Sequence, residues 1–292
     1  MKKGLVERML SGEFLVSAQI DPPATSDAFW QFRVMINKLN SAGVKLLDIN
    51  SSRRVSYDSI QLAAWLKNQG FDVIPHVTTR DSSINGLANQ ILGAHTLSFI
   101  DNFLVITGDP HEDKTAMVAS EGVFQADSVG ALRLLNDYLR KKQNLNFSFA
   151  AAINQNTVNL SAEAVKTLMK QDAGVNFFMS QPVFNEFQLK RLLYFNSYYS
   201  NKPLIVGIWP LVNQKTIEAI KNGIVVGVEI SDDVYEESKN YWDDEKKLTE
   251  WGLSRALELI KQLKEKKGSV CGAYIVAPAR NPLLLLDLVP KI

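Results

Sequence analysis

Asn146-Phe147-Ser148-Phe149-Ala150-Ala151-Ala152, then Ser161 to Gln171, then Val175-Asn176-Phe177-Phe178-Met179, is the stretch on which the fold turns. Its two ends are short apolar runs bounded by asparagine and glycine, and they read as strands. Between them Ala164, Val165, Leu168 and Met169 recur at helical spacing behind Ser161, a residue able to cap a helix. Strand, helix and strand in that order make a parallel unit, because parallel strands need a crossover between them. The pattern continues outward both ways. Further strands are expected at Phe14–Asp21, Val44–Asn50, Asp72–Val77, Asn102–Ile106, Pro203–Ile208 and Val270–Val276, with helices at Ser56–Gln69, Ser128–Lys142 and Asp243–Lys267. Eight strands alternating with helices predict an α/β fold, a (β/α)8 TIM barrel, forming a single domain over residues 1–292.

Composition narrows the function. With 32 basic and 31 acidic residues the net charge is +1, which offers no surplus for a nucleic-acid backbone or an anionic membrane. No apolar run approaches the roughly 18 residues of a spanning helix. The basic start at Lys2-Lys3 meets Glu7 before any long apolar run, unlike a secretion signal. The single cysteine, Cys271, leaves no internal disulfide and fits a reducing, cytoplasmic setting. One cysteine and three scattered histidines (His76, His95, His111) also make no zinc site, so no metal is expected. There is no GxGxxG and no GxxxxGK[ST], so any nucleotide cofactor is held in some other way.

In a barrel of this kind, chemistry gathers where strands end and βα loops begin. Those ends are polar here: Ser17-Ala18-Gln19-Ile20-Asp21 on the first strand, Asp48-Ile49-Asn50 on the second, His76-Val77-Thr78-Thr79-Arg80-Asp81 on the third. Ser17, Gln19 and Asp21 fall on one side of their strand, expected to be the barrel interior, where stacked polar groups need partners or a ligand.

Six segments in order resemble the methylenetetrahydrofolate reductase family: Ile74–Asp81, Val105–Pro110 with its Gly108-Asp109-Pro110, Val123–Ser128, Lys170–Val175, Ser180–Asn185 and Gly207–Leu211. The likeness covers roughly residues 10 to 285. It is nearest to the reductase half of proteins fused to a homocysteine methyltransferase, with Leu92-Gly93-Ala94-His95 belonging to that branch. The resemblance implies reduction of 5,10-methylenetetrahydrofolate, or a related one-carbon carrier, to the 5-methyl form. The hydride would come from NADH or NADPH by way of FAD. It further implies His76, Thr107, Gly108, Asp109, Phe124, Gln125 and Ala150 around the flavin, Glu163 at its ribose and Lys170 at its pyrophosphate. Asp109 would tune the flavin's charge. Gln181 would bind the pterin or nicotinamide, with Gln19, Gln214 and Arg280 also on the substrate side.

The chain departs from the family at its general acid. The glutamate of the family's first strand is Gln19 here, and an amide has no titratable proton to give. Asp21, two residues on, is the substitute proton source the sequence suggests, buried in the mouth and oriented by Gln19. FMN, or no flavin, stays open as an alternative to FAD. So does a noncatalytic or partner-dependent flavin- and folate-binding homologue, acting as a homo-oligomer or with a partner subunit.

Overall fold

Eight helices of this chain begin with a side-chain cap, and those caps mark the mouth of the molecule. Thr25, Asp58, Ser83, Asp127, Asn159, Asn185, Asn213 and Asp244 each accept a hydrogen bond from a backbone N–H in the first turn of the helix that follows. Such caps satisfy donors that a helix start leaves open. The computed structural model describes residues 3–110, 122–266, 268, 270–277 and 281–288. Its strands are β1 (Leu15–Ile20), β2 (Leu46–Ile49), β3 (Asp72–Thr78), β4 (Asn102–Ile106), β5 (Ser148–Ile153), β6 (Phe177–Val183), β7 (Leu204–Ile208) and β8 (Val270–Val276). All pair in parallel, and β1 also pairs with β8, closing the barrel. The expected barrel is the observed one.

The outer ring begins with α2 (Ser26–Ser41), α3 (Ser59–Asn68), α4 (Ile84–Ser98) and α5 (Ser128–Leu135). It continues through α6 (Leu160–Asp172), α7 (Glu186–Tyr199), α8 (Gln214–Lys221), α9 (Asp232–Lys239) and α10 (Glu245–Glu265). Their apolar stripes and the outward side chains of the strands form one core, from Ile20 and Leu47 through Phe103 and Phe149 to Ile275. A second core fills the barrel itself: Leu15, Leu46, Ile74, Leu104, Ala150, Phe177, Met179 and Ile205. Its floor is the short helix α1 (Leu5–Leu10), whose Leu5 and Met9 are buried in this cluster.

Three boundaries differ from expectation. The α6 cap is Asn159, not Ser161, which lies inside the helix. The expected helix Ser128–Lys142 changes at Asn136 into a π-helical turn, Asn136–Lys142, where Arg140 Nη1 donates to Gly174 O at 2.8 Å. β6 runs on to Val183 because a register shift after Met179 lets Pro182 rejoin Gly207. No helix among the described residues is long and apolar enough to cross a membrane.

Candidate active site at the barrel mouth

The ends of β3 and β4 are locked together by one arginine. Arg80 follows β3 and is only 2% exposed, yet its guanidinium is fully engaged. Nε and Nη2 donate to Asp81 at 2.9 and 2.6 Å, Nη2 donates to Ser52 O at 2.6 Å, and Nη1 donates to Asp109 O at 3.1 Å. Its own carbonyl accepts from Val123 N at 2.6 Å. The planar fork with five donors suits this work, tying the loops after β2, β3 and β4 to one point. Gly108 sits inside that arrangement at φ +84°, where a Cβ would come within 3.1 Å of Thr78 and 3.2 Å of Arg80. A side chain there would meet both steric and backbone strain, so the Gly108-Asp109 turn needs its glycine. The Asp109 carboxylate is left exposed above it, and Thr107 is half-buried with Oγ1 accepting from Ser128 N at 3.0 Å.

Below the mouth lies a layer of buried polar groups. Ser17 Oγ donates to Asp48 Oδ1 at 2.6 Å, and both residues are fully buried. The other carboxylate oxygen, Oδ2, lies 3.5 Å from His76 Nε2, and neither atom has a hydrogen-bond partner. Buried polar atoms without partners cost free energy, which is why native cores contain few of them. Tyr274, on β8, faces the same layer and donates to Ser180 O at 2.6 Å. Burial, and secondarily the Asp48 charge, push its phenol above the ordinary range, so it stays neutral. Gly207 makes room for that ring, since a Cβ would fall 2.6 Å from the Tyr274 oxygen.

The expected site residues divide into those the mouth brings together and those it does not. Gln19 is half-buried at the mouth, and its side-chain amide has no hydrogen-bond partner among the described residues. Gln181 is also half-buried, its peptide bracketed by Gln155, which donates to its carbonyl at 2.8 Å and accepts from its N–H at 3.1 Å. Gln214 is half-buried in the first turn of α8, bonded to Glu218 at 3.1 Å. Phe124 is half-exposed at φ +38°, its ring beside Gly122. Arg280 lies outside the described residues.

Five more of the expected residues are placed as follows. Asp21 is exposed rather than buried, and Asn50 Nδ2 rather than Gln19 donates to it, at 2.9 Å, so the burial that would have suited it to proton donation is missing. Ala150 is sealed in the packed interior beside Leu104 and Phe177, while Ala152 is the half-buried residue of that face nearer the mouth. Gln125 is exposed with its carbonyl accepting from Ile84 N at 2.8 Å, at the start of α4. Glu163 is buried and accepts from Asn154 N at 3.0 Å. Lys170 is buried as well, donating to Ala152 O at 2.7 Å and standing 3.9 Å from Glu163. Burial pushes its ammonium below the usual lysine range, and Glu163 opposes that only in part. Both side chains hold the end of β5 in place.

The model of the methylenetetrahydrofolate reductase family matches residues 5–277. The chain belongs to that family. No curated protein matches this reductase-family chain. Among solved structures, an uncharacterized protein from Clostridium thermocellum that binds two copies of 5-methyl-5,6,7,8-tetrahydrofolic acid is 15% identical, with a TM-score of 0.67 over 99% of this chain and 97% of that one. A 2,3-dimethylmalate lyase of the PEP mutase/isocitrate lyase superfamily is 12% identical, with a TM-score of 0.55 over 97% and 80%. Oxaloacetate acetylhydrolase in complex with oxalate is 10% identical, with a TM-score of 0.55 over 95% and 81%. At these identities the likeness is one of fold.

The methylenetetrahydrofolate reductase family implies a flavin, and the residues present fit its two ends differently. The ring end is served: Gly108 keeps the backbone open, Asp109 is exposed, and the Asp48–His76 layer beneath carries unpartnered polar atoms. Glu163 and Lys170, expected at the dinucleotide tail, are buried and bonded to the backbone at the end of β5. In the sequence Arg80 and Asp48 stand among the polar strand ends without a role assigned, and Gln155 is not singled out. An aspartate in the middle of the buried run Leu46-Leu47-Asp48-Ile49 was the one legible signal; nothing in the sequence distinguished Gln155 from its asparagine neighbours.

Proposed function

We propose that the chain is a flavin-dependent reductase of a methylene-tetrahydrofolate-type carrier, working at the mouth of this barrel. The observation that carries the reading is convergence. Of the six segments that follow the family pattern, five lie at the ends of β3, β4, β6 and β7 or in the loop after β4, on one face of the barrel. The Clostridium thermocellum protein with the same fold, which binds 5-methyltetrahydrofolate, supports a pterin ligand for that face.

The chain's own residues would divide the work as follows. Gln181 and Gln19 offer amide donors and acceptors to a pterin or a nicotinamide. Asp109 and the Gly108 backbone bound the place of the flavin ring, and Arg80 fixes their spacing. When bound, flavin supplies the hydride chemistry, drawing on NADH or NADPH. A second reading, a folate-binding protein without turnover, is favoured by Gln19, which removes the family's acid. Fluorescence titration with FAD and FMN, followed by anaerobic addition of NADH or NADPH, tests the first half of the proposal. Saturable binding and bleaching of the flavin are expected. A protein that takes up neither flavin contradicts the flavin part, and uptake of FMN alone removes FAD.

A further inference from the structure

Strand β1 brings no acid to the mouth, but its neighbour brings one just beneath. Asp48 on β2 is in register with Gln19, so their Cα atoms are one inter-strand spacing apart, about 4.8 Å. One carboxylate oxygen is fixed by Ser17 at 2.6 Å, while the other faces His76 Nε2 at 3.5 Å, buried and unbonded on both sides. Ile74 is the β3 residue opposite Asp48, so His76 stands one inward step nearer the mouth and its ring reaches back toward the carboxylate. The second ring nitrogen, Nδ1, makes no hydrogen bond with a described residue. A carboxylate holding one imidazole nitrogen leaves the other free to exchange a proton.

We propose that the Asp48–His76 pair is the proton donor of this site, in place of the carboxylic acid that β1 lacks. The proposal rests on the folate-reductase reading above. In the step, the ring C–N bond of the methylene carrier breaks and the departing nitrogen keeps the bonding pair. That nitrogen takes the proton from Nδ1 of the imidazolium. His76 becomes a neutral imidazole with its Nε2–H toward Asp48, and the carrier becomes a methylene iminium cation, so charge balances. The iminium carbon then takes a hydride from a two-electron donor of the dihydroflavin or dihydronicotinamide class, and water reprotonates His76. Asp48 on β2 faces the ring at 3.5 Å, and the other ionisable groups on the neighbouring elements are Tyr274 on β8, Arg80 and Asp81 just past β3, and Asp109 after β4. Tyr274 is a neutral phenol bonded to Ser180 O, and Arg80 is paired with Asp81, which leaves Asp48 as the charge set against the imidazole.

Two measurements test this. In the flavin-free protein, nitrogen NMR of labelled histidine reads the protonation of the His76 ring directly. The ring should carry protons on both nitrogens at a pH where the Asp48→Asn variant carries one; equal protonation in both proteins overturns the pairing. With FAD bound, His76→Gln and Asp48→Asn should each lower conversion of 5,10-methylenetetrahydrofolate by at least about a hundredfold, within the range of general-acid effects, with 5-methyltetrahydrofolate affinity and melting temperature retained. Gln19→Glu placed in the His76→Gln protein should recover at least about tenfold, because it restores an acid to the same mouth. Full turnover in His76→Gln overturns the proposal alone. A wild type that binds 5-methyltetrahydrofolate but forms no product overturns the reductase reading, and proton donation with it.

Discussion

Arg80 shows how much of a functional site depends on a residue that need not touch the ligand. Its guanidinium is buried and bonded to three loops, so an apolar replacement removes the buried partner of the Asp81 carboxylate and this donor from the carbonyls of Ser52 and Asp109 together. Arg80→Met should lower stability by about 3 kcal/mol, read as a shift of the urea midpoint, and should weaken flavin uptake because Asp109 loses its anchor. An unchanged midpoint would mean that the loops hold themselves. Lys170 carries a different prediction. Its folded-state pKa lies below the ordinary 10.5, so the unfolded chain binds the extra proton between the two values. Stability therefore rises with pH through that window and is reduced below it. Urea melts taken between neutral pH and 10.5 should show this rise in wild type and a flatter profile in Lys170→Met. Neither residue's role was legible in the sequence. The helical pattern places Lys170 on a face without saying that its chain crosses to the carbonyl of Ala152. Strand alternation puts Asp48 and His76 inside the barrel without saying that they meet.

At the scale of elements, the strands were legible because each is a short apolar run between turn residues, and all eight expected positions hold one. Their edges were less legible where polar groups compete. Asn159 and Ser161 can both cap a helix, and only the path of the chain after β5 selects Asn159. β6 extends past Met179 because Ser180 turns its hydroxyl to accept from Gly207 N at 3.0 Å, a contact between strands that no local pattern announces. The short helix α1 was not anticipated, since six residues give too little periodicity to read. It nonetheless closes the floor of the barrel. Met9→Ala should cost about 2–4 kcal/mol, a typical loss for a buried methionine. Flavin uptake at the opposite end should be unaffected, and thermal melting and titration of that one variant check both halves. A stable Met9→Ala protein would show that the floor is not needed.

For the whole molecule, the barrel sets two ends apart: a packed floor at α1 and a mouth where the ends of β1, β4 and β6 present Gln19, Asp109 and Gln181. The order of the chain made that division legible, because parallel strands send every βα loop to the same face. The proposed proton source was not legible: the sequence directed attention to Asp21, which is exposed, and the buried carboxylate is on the next strand. We propose above that this mouth reduces a folate-type carrier. The most direct test is anaerobic incubation of the FAD-loaded protein with 5,10-methylenetetrahydrofolate and NADH or NADPH, with product followed by chromatography. 5-Methyltetrahydrofolate is expected in step with the nicotinamide oxidised; nicotinamide oxidation with no methylated product, or no reaction with either nicotinamide, would overturn the reductase reading.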